Sequence, residues 1–96
     1  MMEVRQTPAF AAWLGRLRDR PARARIQVRI DRLTLGLAGD VRSVGGGISE
    51  MRVDYGPGYR VYFKQQGRHV AILLIGGDKK TQARDIKRAQ VLAREL

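Results

Sequence analysis

Cysteine is absent from the 96-residue chain, and histidine occurs once. That removes disulfides, thiolate nucleophiles and cysteine-ligated zinc from the available chemistry, and one imidazole cannot assemble a metal cluster. Acidic residues are scarce: nine Asp and Glu stand against 19 Lys and Arg, for a formal charge of +10 at pH 7. Long apolar runs are missing, the longest being "VAILLI", far short of the ~20 residues a membrane helix needs. The opening "MMEVRQTPAF" has no apolar signal region, so the expectation is a cytoplasmic protein without membrane association. A P-loop is excluded too, because "IGGDKKTQ" lacks its glycine spacing and terminal Gly-Lys-Ser/Thr. Neither a cofactor nor a metal is expected.

What remains is an apolar share of 44% and a charged share of 29%, suited to one globular domain over residues 1–96. Arginine clearly outnumbers lysine. Its planar fork suits bidentate contact with phosphate, which makes nucleic acid the leading partner class. A solubilising surface or an acidic protein partner is the alternative.

"MEVR" reads as a short strand, followed by Thr7 and Pro8 as the cap and first position of a helix. Phe10, Trp13, Leu14 and Leu17 recur at helical spacing and should face the core. Pro21 breaks the pattern, and a second helix follows to about Leu37, with Ala22, Ile26, Ile30, Leu33 and Leu37 on its inner stripe. Arg18, Arg25, Arg29 and Arg32 line the neighbouring stripe, either a solvated face or a partner surface, and Val28 and Leu35 fall on a third side. From Asp40 the pattern changes to strands: "VRSV", "ISEMRVD", "YRVYFKQ" and "HVAILLIG". "VAILLI", apolar on both faces, should be an interior strand. Asp78 to Leu96 reads as a third helix with Ile86, Ala89, Ala93 and Leu96 inward. The order is βααββββα, an α+β fold with a small, mostly antiparallel sheet, an N-terminal helical hairpin and a C-terminal helix.

Two stretches carry candidate chemistry. Period-two alternation in "YRVYFKQ" sends Tyr59, Val61 and Phe63 to the core and Arg60, Tyr62 and Lys64 outward. By the same rule Glu50, Arg52 and Asp54 of "ISEMRVD" share that outer face, beside Arg60 across the hairpin on an open sheet surface. This set is either a group of cross-strand ion pairs or an anion site. In "IGGDKKTQ" two glycines lead into a helix N-terminus bearing Lys79 and Lys80, which suits an anion unless Asp78 or Thr81 caps the helix.

The element order, "MRVDYGPGYRVYF" and "GGDKKTQARDI" together resemble the RelE superfamily of bacterial toxins, in its HigB-like "addiction module killer protein" branch. The resemblance runs over essentially the whole chain. It implies a ribosome-dependent mRNA endoribonuclease that inhibits translation without a metal and is neutralised by a small, usually helix-turn-helix antitoxin. Arg60 stands at the family's Gly-Tyr-Arg position, where it would stabilise the scissile phosphate, assisted by Arg52 and Lys79. The tyrosine or histidine that such enzymes carry in or near the last helix has no counterpart between Arg84 and Leu96, so Asp54, Tyr55 and Lys79 are the candidates for proton transfer. Lys80, Lys64, Tyr62 and Gln82 are expected to contact RNA, and Arg25, Arg29 and Arg32 the antitoxin. Two other readings compete: a ParE-like toxin acting on DNA gyrase, and a regulator that binds nucleic acid without cutting it.

Overall fold

Thr7 starts the first helix by accepting the Phe10 N–H on its hydroxyl at 3.0 Å, with Pro8 in the first turn, so that α1 spans Pro8–Arg16. Asp19 does the same for α2, Arg20–Thr34, accepting the Ala22 N–H at 3.1 Å. In the computed structural model, which describes residues 1–96, α2 ends earlier than the expected Leu37. Gly36 turns left-handed at φ 79°, and the Gly36 and Leu37 N–H groups fold back onto the Leu33 and Arg32 carbonyls at 2.9 and 2.8 Å. Leu37 is therefore thrown out of the core stripe and is 60% exposed.

The five strands are β1 (Glu3–Gln6), β2 (Val41–Ser43), β3 (Ile48–Val53), β4 (Tyr59–Gln66) and β5 (Val70–Asp78). They form one sheet in the order β1-β5-β4-β3-β2, antiparallel except for the β1–β5 pair. The fold is thus α+β with a mostly antiparallel sheet. β5 lies inside the sheet, as its two-sided apolar sequence requires. A bulge opposite Tyr62/Phe63 on β4 places Leu74 and Ile75 consecutively against the same apolar cluster.

Each face of the sheet has its own core. α1 and α2 bring Phe10, Ile26, Ile30 and Leu33 against Met51, Val53, Val61, Phe63, Ala71 and Leu73. The opposite face meets the last helix, α3 (Gln82–Arg94), whose Ala89 and Ala93 lie with Ile48, Tyr62, Ile72 and Leu74. Alternation correctly divides β4 between the two faces, but the outer face is not open as expected: α3 covers much of it and buries Tyr62 completely. The third helix itself starts later than Asp78, since Lys79–Thr81 forms a single 3-10 turn before it, and it ends at Arg94, which leaves Leu96 exposed. No helix is long and apolar enough to cross a membrane.

Two glycines at the end of β5 let helices approach both sides of the strand. A Cβ at Gly76 would sit 2.2 Å from the Trp13 ring, and one at Gly77 would sit 1.8 Å from a carboxylate oxygen of Asp85. The Trp13 ring is held in turn between Phe10 and Tyr59, at centroid distances of 5.7 and 6.4 Å. Gly76→Ala should therefore destabilise the fold by about 1–3 kcal/mol through overpacking. Chemical denaturation checks this, and trimming the ring in the Gly76→Ala/Trp13→Leu double variant should cost less than the two single changes summed.

Candidate functional site

Glu50 is the centre of the polar end of the α3-side face. The β2–β3 hairpin pairs it with Arg42, and the β3–β4 hairpin pairs it with Tyr62 and sets Arg52 opposite Arg60. The glutamate is fully buried, and both of its oxygens are in use. Oε1 accepts from Arg42 Nε at 3.1 Å and Arg52 Nε at 3.2 Å, and Oε2 accepts from Gln82 Nε2 at 2.8 Å and the Tyr62 hydroxyl at 3.1 Å. Arg60 Nε lies 3.8 Å from Oε2, an ion pair without a hydrogen bond. Burial pushes the Glu50 carboxyl up, but the bonds from Gln82, Arg52, Tyr62 and Arg42 outweigh it and hold the group below the usual carboxylate range. Burial, and then the Glu50 charge, push the Tyr62 phenol up, so it remains a donor.

Three guanidinium groups around one carboxylate leave two positive charges uncompensated. They differ in depth: the side chains of Arg42, Arg52 and Arg60 are 53%, 37% and 10% exposed. Arg60 is held by the Gly-Pro-Gly turn, where its Nη1 donates to the Gly58 carbonyl at 2.8 Å. Gly58 has φ 81°, and a Cβ on it would lie 3.2 Å from that Nη1 and 3.6 Å from Lys79 Cβ. The left-handed backbone at Gly58 is what favours glycine where the turn closes against the Arg60 guanidinium. Arg60 Nε is the single buried side-chain nitrogen or oxygen of the chain without a hydrogen-bond partner. The Glu50 charge compensates it in part, but a buried charged donor without a hydrogen bond remains costly.

The structure unites Arg60 and Arg52 around Glu50 and sets the Lys79 Cβ beside the Gly58 turn, and it separates other expected members. Asp54 does not share the outer face: β3 ends at Val53, and Asp54 lines a depression on the far side with Arg25, Val28 and Arg32 of α2. Tyr55 also turns that way, packing on the helical-hairpin core with Arg25 4.6 Å above its ring. Neither reaches the arginine cluster through the sheet. Tyr62 and Gln82, expected at RNA, are instead committed to Glu50, Tyr62 being fully buried by α3. Lys64 is half-buried near Gly47, four residues along β4 from Arg60 and so about 13 Å away. Lys80 is exposed on the 3-10 turn.

Two further expectations change. The N–H groups of Lys80 and Thr81 are taken by the Asp78 carboxylate at 2.8 and 3.3 Å, so the helix entrance is capped from within and offers no free cradle. Arg29 is withdrawn from the antitoxin-facing set: it donates to the carbonyls of Arg52 and Ala38 and ties α2 to β3, whereas Arg25 and Arg32 remain exposed. Sequence reasoning missed Arg42 and the central role of Glu50. The signal was present in "VRSVGGGISEMRV", where folding the two strands back around the glycine triplet sets Arg42 opposite Glu50. Asp85, buried beside Gly77 and accepting from the Thr81 hydroxyl, was also missed.

The arrangement can bind and stabilise negative charge, and it holds its one central carboxylate away from proton exchange. No family model matches the sequence. Over 95 residues, 99% of this chain and 96% of the relative, it is 50% identical to an uncharacterized protein of Haemophilus influenzae.

Glu50→Ala should destabilise the fold by on the order of 3 kcal/mol, the low end for breaking a buried pair, because Arg42 and Arg52 can turn to water while Arg60 cannot. Acid should act in the same direction. The Glu50 carboxyl titrates lower when folded than its ordinary 4.5, so its contribution is complete above that pH and is lost as pH falls through the lowered value. Unfolding free energies measured across the acid range should fall less steeply in Glu50→Gln than in the unmodified chain.

Proposed function

We propose that this chain, which belongs to one family with that Haemophilus influenzae protein, is a toxin of the RelE superfamily type that cleaves mRNA on the ribosome. The observation that carries the reading is the Glu50-centred arginine cluster, three cations around one carboxylate, with the buried Arg60 Nε left without a hydrogen bond at its deepest point. Attack of a ribose 2′-oxygen on the adjacent phosphorus forms a new P–O bond, breaks the bond to the 5′-oxygen and passes through a phosphorane of greater negative charge. Fixed guanidinium groups stabilise that charge without reorganising, which is where preorganised electrostatics contribute most. Arg60 and Arg52 take this role, with Lys79 converging on the same turn.

The proton from the 2′-hydroxyl needs an acceptor, and the 5′-oxygen needs a donor. Asp54 and Tyr55 lie across the sheet, and both oxygens of Glu50 are occupied. Of the three candidates that leaves Lys79, whose Cβ lies beside Gly58 at the rim of the cluster. Alignment of the 2′-oxygen by the ribosome supplies much of the remaining rate, as orientation alone is worth several powers of ten. The same placement of Asp54 and Tyr55 favours a second reading, a regulator that binds RNA without cutting it. A cytoplasmic location follows from ribosomal action. A small antitoxin with acidic residues would suit the exposed Arg25 and Arg32 on α2.

Mapping mRNA 5′ ends after induction of the chain in a bacterial host tests the reading. New ends in phase with codons are expected, and Arg60→Ala should reduce them by about 10²-fold or more and restore growth. Gyrase inhibition without new ends would replace this reading with a ParE-like one. RNA binding without new ends would favour the regulator.

A further inference from the structure

Arg42 has no place in the reading above, yet the fold prepares it for a ligand in the same way as Arg52. Both donate Nε to one oxygen of Glu50 and make no other side-chain hydrogen bond, so each guanidinium is fastened at its inner edge and keeps its Nη1/Nη2 fork free. That fork is the edge matched to two oxygens of a phosphate. Arg42, Arg52 and Arg60 stand on three successive strands, β2, β3 and β4, with Arg42 two residues along β3 from Arg52, and their Nε atoms converge on the Glu50 carboxylate while their backbones span about 10 Å of sheet. Exposure falls steadily along it, from the open edge at Arg42 to the buried Arg60 with its unpaired Nε.

We infer that Arg42 is a second phosphate subsite: the arginine row is a track for consecutive phosphates of one RNA strand, entering over the β2 edge and ending at Arg60. The inference rests on the proposed action on RNA. A nucleic-acid strand carries a charge on every unit and meets all three forks whatever its sequence, whereas an acidic peptide does so only with a particular spacing of carboxylates. Glu50 acts here as a positioning residue, since it sets two forks outward while touching no phosphate itself. Arg42 sits on an edge strand and is more than half exposed, and Arg52, Tyr62 and Gln82 still donate to Glu50 when it is replaced, so the chain should stay folded, which denaturation of Arg42→Ala checks.

The test measures binding of a labelled oligouridylate of about ten nucleotides to the purified chain as a function of salt, where each phosphate contact to a single strand contributes about 0.7 to the slope of log affinity on log salt. Arg42→Ala should weaken binding roughly tenfold at low salt and lower the slope by about 0.7. Arg42→Lys should restore the slope but not the affinity, because the charge returns without the fork. Lys87→Ala, on the exposed side of α3, should change neither. Equal losses from Lys87→Ala and Arg42→Ala, or full recovery by Arg42→Lys, would overturn the subsite in favour of diffuse charge. So would polyglutamate binding with the same dependence on Arg42, which would assign the row to an acidic protein. Binding that needs Arg60 but is indifferent to Arg42 sinks the subsite alone. Failure of the unmodified chain to bind RNA at low salt sinks the RNA reading with it.

Discussion

A single buried carboxylate organises one end of this molecule. Glu50 has no contact with water, and a charge placed there is tolerable only if it is paired and hydrogen-bonded. The chain meets that requirement with donors from four elements: Arg42 from β2, Arg52 from β3 itself, Tyr62 from β4 and Gln82 from the start of α3. The position of α3 on the sheet, the register of both hairpins and the direction of the arginines are therefore linked through one group. The excess of cations around Glu50 is what makes the arrangement more than structural, because a pure ion pair would need one arginine and not three.

The two faces of the sheet divide the work. The helical-hairpin side holds the larger core, including Phe10, Ile26 and Phe63, and carries Arg29 as a strut between α2 and β3. The α3 side holds the smaller core and, beyond it, the arginine cluster. The "GPG" turn joins the two sides: Tyr55 packs towards α2 under Arg25, while Gly58 receives Arg60 on the opposite face.

Much of this was legible in the sequence, and the exceptions have definite causes. Strand alternation assigned the faces of β4 correctly, the helix start at Thr7 followed from capping chemistry, and Pro21 marked the break before α2. Alternation says which side a residue faces but not what lies above it, so the cover that α3 gives Tyr62 and Glu50 could not be inferred from β3 and β4 alone. Asp54 broke the alternation because the strand ends one residue earlier, and with it the expected base moved across the sheet. Asp85 drew no reading from the sequence and is buried, since Gly77 leaves room beneath it. Arg42 was passed over for lack of a register, which only the pairing around the glycine triplet supplies.

The claim on which the account depends is that a phosphate of RNA comes to Arg60. Isotope-edited NMR of the arginine Nε–H resonances during titration with a short single-stranded RNA observes that nitrogen directly. The expected result is a large shift of the Arg60 resonance, with Arg52 and Arg42 following and Arg25 and Arg32 little changed. An unmoved Arg60 resonance beside shifts confined to Arg25 and Arg32 would place the nucleic acid on the helical face and contradict the account.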